Sequence, residues 1–315
     1  MEDRRPYGAG LALVAAGVAL LSLKGIVIKL SYALDIDAVS LLLLRLGIAL
    51  PVYLVVARFA GAGGEPLSRR QWLGVAGCGL LGAYLASILD FWALQYITAS
   101  LERLVLYAYP TLVLLFSRIL FGRRIRRSDL AALALAYSGL ALVFVQDARL
   151  YDLEATAVGT ALVLASAAAY ALFLVGSGEL IPKLGSVRFT AYAMIAAAAG
   201  IGVHFALARP TAIATLPAEG FALAGFLAVA CTLAPSFLMS AGLGRVGAAN
   251  AAMVGMIGPP VTIAAAHFVL GEAVTWRHGV GTVLIIAGVL GVTLRGRRRA
   301  AETAAAPRER AAEPE

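Results

Sequence analysis

Residues 8–30 read GAGLALVAAGVALLSLKGIVIKL, an apolar run interrupted only by Lys24 and Lys29. About 20 mostly apolar residues, wound as a helix, cross the hydrocarbon core of a bilayer. The Arg4-Arg5 pair in front of this run resembles the start of a secretory signal. The run is long, however, and further runs of the same kind follow, so it is read as a retained first spanning helix. Outward from it, apolar segments recur at 38–57, 71–94, 102–121, 129–146, 157–177, 188–208, 219–241, 246–270 and 277–295, divided by charged or Pro/Gly-rich punctuation. These predict an all-α integral membrane protein of ten transmembrane helices.

Composition agrees with that reading. Hydrophobic residues make up 61% and charged residues 14% of 315, against about 45–50% and 25% in soluble domains. The formal charge of +8 comes largely from short arginine runs between apolar blocks, which is the pattern of loops at the cytoplasmic face rather than of a nucleic-acid surface. Examples are Arg4-Arg5, Arg69-Arg70, Arg123-Arg124, Arg126-Arg127 and Arg297–Arg299. With the N-terminus inside, these fall on one side, so both termini are expected to be cytoplasmic, in a bacterial-type plasma membrane. The opposite loops carry the acids Asp35, Asp37, Asp147, Asp152 and Glu154. Residues 296–315, rich in Ala, Arg, Glu and Pro, are expected to form a disordered cytoplasmic tail. Cys78 and Cys231 lie inside apolar segments without CxxC spacing, so neither a disulfide framework nor a metal site is indicated, and no cofactor is expected.

The chain repeats at an offset of 149 residues: Leu94 falls on Leu243, Ala99 on Ala248, Pro110 on Pro259, Gly122 on Gly271 and Gly139 on Gly288. The two copies are expected at 8–146 and 157–295. Five helices is an odd number, so the second copy enters the membrane from the opposite side, which makes the repeats inverted. That plan is common in secondary transporters with a substrate site near the midplane. Spacings such as Gly74 with Cys78, and Gly281 with Gly288, are read as close helix packing.

From about residue 8 to 295 the sequence resembles the EamA-type members of the drug/metabolite transporter superfamily. The landmarks are Lys29, Leu44-Arg45, Ala93-Leu94-Gln95-Tyr96-Ile97, Tyr109-Pro110, Arg245-Val246-Gly247-Ala248-Ala249, Pro259 and Leu270-Gly271-Glu272. Two positions depart from the usual pattern. Lys24-Gly25 stands where many members have Trp-Gly, and Gly258-Pro259 where Glu-Pro is frequent. The resemblance implies transport of a small metabolite.

Ionisable residues inside a span are costly, so each is a candidate for function. At about 1.5 Å of rise per residue, Lys24, Lys29, Arg45, Asp90, Glu102 and Arg103 gather in the outer half of the first copy. They are expected to line an outward-facing vestibule or gate with surplus positive charge. The surplus charge would attract a carboxylate or other anionic group, which Arg45 or Lys24 would hold; Tyr107 would stack beside Arg103, and Asp90 or Glu102 would hold an amine or exchange a coupling proton. The alternative is that Lys29 and Arg103 snorkel to the interface and Arg45 serves only to neutralise an acid. Tyr84, Ser87 and Asp90 should share a helix face. In the second copy the candidates are Tyr170, His204, Ser236, Asn250 and His267. Pro110, Pro235 and Pro259 would either free carbonyls toward a cavity or kink a packed helix.

The expected function is a secondary transporter, working as an exporter of amino-acid-like or other carboxylate metabolites by alternating access. No GxxxxGK[ST] motor motif appears. A non-transporting scaffold and an intramembrane enzyme built on Gly176-Ser177-Gly178 are the alternatives. Its partners would be the small-molecule cargo and the lipid bilayer, not nucleic acid, with a homodimer left open.

Overall fold

The computed structural model describes residues 4–61, 66–122, 127–208, 213 and 216–291. The expected tail at 296–315 and the basic residues Arg123, Arg124 and Arg126 lie outside them, as does the side chain of Asn250. The regular structure among the described residues is helical. The helices are α1 (Arg4–Ser22), α2 (Lys24–Tyr32), α3 (Ala38–Gly61), α4 (Arg69–Gly79), α5 (Ala86–Ala93), α6 (Ala99–Leu106), α7 (Tyr109–Phe121), α8 (Arg127–Leu150), α9 (Leu153–Leu184), α10 (Ser186–Ala208), α11 (Ala218–Ala228), α12 (Ala234–Gly255) and α13 (Gly258–Leu270). A shorter apolar helix, α14 (Trp276–Gly291), follows. Nine stretches among the described residues are long and apolar enough to cross a membrane. Their outward surface is apolar as well: Phe59, Leu207, Phe268 and Val283 are exposed, which suits hydrocarbon rather than water.

Local chemistry sets the helix starts. Ser68 and Gln71 form a reciprocal capping box, Asp37 accepts the amides of Val39 and Ser40, and Asp152 accepts that of Ala155. Two of the acids assigned to outer loops are therefore N-caps. Gly122 and Gly271, both at φ 67°, end α7 and α13 in the left-handed conformation that suits glycine.

The 149-residue offset persists in the backbone. The 13-residue helices α7 and α13 start 149 residues apart, each after a break, and wide π-turns at Leu80–Leu85 and Val229–Leu233 start at the same offset. No loop marks one expected boundary: the junction between the eighth and ninth spans, read between 241 and 246, is helical within α12, and the break at Met256–Ile257 lies inside the stretch Met253–Leu270, as that at Tyr107–Ala108 lies inside Ala99–Leu120.

The spans pack antiparallel across the halves. Gly74 meets Leu180, Gly176 meets Cys78, Ser166 donates to the Ala86 carbonyl, and Gly159 meets Ile97. Likewise α8 and α14 cross where a Cβ on Gly139 would stand 2.6 Å from the Gly281 carbonyl oxygen. The small-residue spacings thus serve close packing. These pairings bring residues 93–99, 147–159 and 272–278 to one end of the bundle.

Candidate functional site

A cavity of about 430 Å³ lies inside the bundle, within the usual range for small-molecule sites. Of the seven residues gathered from the sequence, Lys24, Arg45, Asp90, Arg103 and Tyr107 line it, and Lys29 and Glu102 do not. Glu102 is fully buried and is not on the wall. Tyr109, Tyr170 and Phe173 supply an aromatic side, with Tyr109 and Tyr170 edge-to-face at 5.4 Å and Tyr170 and Phe173 stacked at 5.7 Å.

A break in the first span positions Lys24. Around Leu23 the helical ladder lapses, and the freed Ser22 carbonyl accepts Thr262 Oγ1 at 3.0 Å. The next residue then directs its ammonium to Asp90, with Nζ 2.6 Å from Oδ2. Arg45 is held differently: Nε donates to Thr232 Oγ1 at 2.8 Å, Nη1 reaches Ser87 Oγ at 3.4 Å, and the guanidinium lies 5.8 Å from the Phe91 ring centroid. Arg103 donates through Nη2 to Ser22 Oγ at 3.3 Å, while its buried Nε has no partner. Among the described residues, neither guanidinium has a carboxylate within ion-pairing distance. Lys24 and Asp90 neutralise each other, so the wall keeps two unpaired positive charges. The alternative role for Arg45, neutralising an acid, is not what the geometry gives.

Gly258 sets this imbalance. A Cβ there would lie 2.9 Å from Tyr107 Oη and 3.2 Å from Arg103 Nη2. The position that often carries Glu in the resembling family is thus adjacent to the Arg103 guanidinium, and its lack of a side chain leaves that cation unpaired. Tyr107 donates to the Gly255 carbonyl at 3.0 Å. Gly255 precedes Pro259 by four residues, and Leu106 precedes Pro110 by four; both line the cavity. Proline offers no amide to the carbonyl four residues back, so each leaves an acceptor at the wall.

Several expectations change. Ser87 and Asp90 face the cavity, but Tyr84 turns to His204, with Oη 3.0 Å from Nδ1. The π-turn at Leu80–Leu85 inserts an extra residue and rotates Tyr84 off the face that a uniform helix would give it. In the second copy Tyr170 and Ser236 line the cavity, whereas His267 Nδ1 sits 2.9 Å from the Glu272 carbonyl. Ser177 donates to the Leu174 carbonyl, not to a histidine.

Two residues central to the bundle's closed end were not recognised from sequence. Asp147, read as a loop acid, is buried because α8 continues to Leu150. It accepts Thr98 Oγ1 at 2.7 Å and lies 2.8 Å from His278 Nε2. Glu272 accepts the Ala99 amide at 2.6 Å, the Ser100 amide at 3.1 Å and the Ser100 hydroxyl at 2.7 Å. The rule that helix N-termini attract anions was the available signal. These contacts join the halves at the end to which depth arithmetic assigned a vestibule, and the cavity lining extends the other way, to Tyr53, Phe189 and Met239.

Comparisons with known proteins agree with the architecture. The model of the EamA-like transporter family matches twice, at residues 8–145 and 157–294. The chain is 31% identical over 274 residues to "Uncharacterized transporter YcbK" of Bacillus subtilis (strain 168), covering 85% of this chain and 87% of that protein. It is 28% identical over 240 residues to the "Probable terminal-alkyne amino-acid exporter" of Streptantibioticus cattleyicolor, covering 73% and 76%. A solved crystal structure superposes with a TM-score of 0.64 at 18% identity, over 92% of this chain and 98% of the other. Two matches that together span the apolar core of the sequence, with a breadth of relatives named as transporters, settle the lineage: this integral membrane protein belongs to the EamA-like transporter family.

Proposed function

We propose that the chain exports small carboxylate-bearing metabolites, amino-acid-like compounds foremost, across a bacterial-type plasma membrane by alternating access. In this reading residues 8–146 and 157–295 are inverted five-helix repeats, giving ten spans in all with α14 as the tenth. Both termini lie in the cytoplasm, as the arginine runs argue. The end closed by Glu272, Asp147 and His278 is then the outer one, and the cavity is loaded from inside.

The observation that carries the proposal is the pair of unpaired guanidiniums, Arg45 and Arg103, on the wall of a 430 Å³ cavity. A buried cation without a counter-ion is costly, and a cargo carboxylate supplies one through charge-assisted hydrogen bonds. The Streptantibioticus relative, named as a terminal-alkyne amino-acid exporter, supports the same class of cargo. The test is a metabolite profile of medium from cells expressing the native chain, Arg45→Ala or Arg103→Ala at matched membrane abundance. A carboxylate-bearing compound accumulating outside only with the native chain is the expected result. Identical profiles for native, variant and empty cells despite correct insertion would move the protein toward a scaffold role.

A further inference from the structure

Arg45 and Arg103 reach the cavity from different helices and are held by different partners. Arg45, on α3, bonds Thr232 and Ser87, and Ser87 precedes Asp90 by three residues on α5. Arg103, on α6, bonds Ser22, which stands two residues before Lys24 across the break in the first span. Lys24 and Asp90 are bonded to each other at 2.6 Å. The contacts therefore run in a row, from Arg103 through a self-neutralised ion pair to Arg45, with an uncompensated guanidinium at either end.

Both ends have donors to spare. Arg45 is 9% and Arg103 7% exposed, and the Nε of Arg103 is buried with no acceptor. A guanidinium carries five N–H donors; Arg45 engages Nε and Nη1, and Arg103 engages Nη2. One carboxylate, bound at one end of the row, leaves the other guanidinium buried without a counter-ion, which is the costly arrangement. Two carboxylates on one molecule compensate both.

The ends differ in what stands beside them. Leu106 follows Arg103 by three on α6 and also lines the cavity, so the two share a helix face. Pro110 leaves the Leu106 carbonyl without its helical amide. That end offers a cation for a carboxylate and a neutral acceptor for an ammonium next to it. At the other end Thr232 gives its own proton to the Leu227 carbonyl, and the Phe91 ring lies under Arg45. Those surroundings suit a carboxylate alone.

We propose that the cargo is a dicarboxylate, an amino acid with an acidic side chain foremost, whose α-carboxylate pairs with Arg103, whose ammonium donates to the Leu106 carbonyl and whose distal carboxylate pairs with Arg45. This rests on the carboxylate-cargo reading above and names the class of cargo within it. Arg45 is then the residue that selects for the second carboxylate.

The test uses purified full-length protein in lipid vesicles loaded with labelled L-glutamate or L-glutamine, which match in shape and differ in one carboxylate. Efflux of glutamate should exceed that of glutamine by about tenfold or more, the loss of one charge-assisted hydrogen bond. This comparison needs no variant. Arg45→Gln should make the two rates equal, whereas Arg103→Gln should slow both; Arg45→Lys, which keeps the charge without the planar fork should the amide fail to fold, should narrow the difference. Equal efflux of the two from the native protein overturns the dicarboxylate but leaves the carboxylate-cargo reading standing. A difference that survives intact in folded Arg45→Gln removes Arg45 from the role given to it. If neither compound, nor a mixture of the other L-amino acids, leaves the vesicles, the carboxylate-cargo reading fails and takes the dicarboxylate with it.

Discussion

The carboxylate of Glu272 accepts the backbone amide of Ala99 at 2.6 Å, so a residue between α13 and α14 caps a helix 173 positions earlier in the chain. With Ser100 amide and hydroxyl bonded to the same carboxylate, three hydrogen bonds to one side chain tie the two halves together here. Replacing Glu272 by Ala leaves those buried donors unpaired, at a cost of about 1–3 kcal/mol. Glu272→Gln, which keeps one acceptor, should fall between Ala and native. Thermal unfolding in detergent measures the order, and an Ala variant that melts with the native protein would show the cap to be without weight.

Asp147 joins α6 to α14 by accepting Thr98 and contacting His278. Removing either end of the Asp147–His278 pair should cost nearly as much as removing both. A double-mutant cycle with Asp147→Asn and His278→Ala is expected to show a coupling of about 0.5–3 kcal/mol. Additive effects would place the two groups in separate networks.

Gly258 governs the charge of the cavity wall. Gly258→Glu should set a carboxylate against Arg103, supplying internally the anion that the cargo brings, and should abolish export while the protein still folds. Gly258→Ala meets the side-chain ends of Tyr107 and Arg103 and, at 3.5 Å, Ser22 Oγ, and should reduce export mildly. Flux at matched abundance gives the comparison, and undiminished export by Gly258→Glu would remove Arg103 from the cargo site.

Lys24, partly buried, and Asp90, fully buried, form an ion pair inside the bundle. Breaking one partner of such a pair costs about 3–5 kcal/mol, whereas replacing both by neutral groups is often close to harmless. Lys24→Met and Asp90→Asn should therefore each lower the melting temperature, and the double variant should recover much of the loss. If the pair works in transport rather than only in folding, the recovered double variant will still fail to export. Full export by it would make the pair purely structural.

Much of this was legible in the sequence because it rests on residues whose backbone effects are positional. Pro110 and Pro259, with Gly122 and Gly271, fixed where the matching helices α7 and α13 begin and end. Lys24, Arg45 and Asp90 stood out because charge is rare within an apolar run, and counting their depth was enough to gather them. Asp147, Glu272 and His278 were missed for the converse reason. They sit at span ends, where a charged residue is ordinary, and these partners lie 49 to 173 positions away. Tyr84 went astray because a π-turn changes the angular step per residue, and nothing in the local composition announces it.

The two prolines also bear on how the cavity responds to its surroundings. Lysine, carboxyl and phenol groups all change charge as conditions change, and a wall built of them alone would change its preferences with acidity. The carbonyls of Leu106 and Gly255 do not titrate. Pro110 and Pro259 deprive both of helical partners; the Gly255 carbonyl takes the Tyr107 hydroxyl in its place, and the Leu106 carbonyl stands as an acceptor on the wall. A hydrogen donor that reaches the Leu106 carbonyl therefore finds the same acceptor in acid and alkali alike.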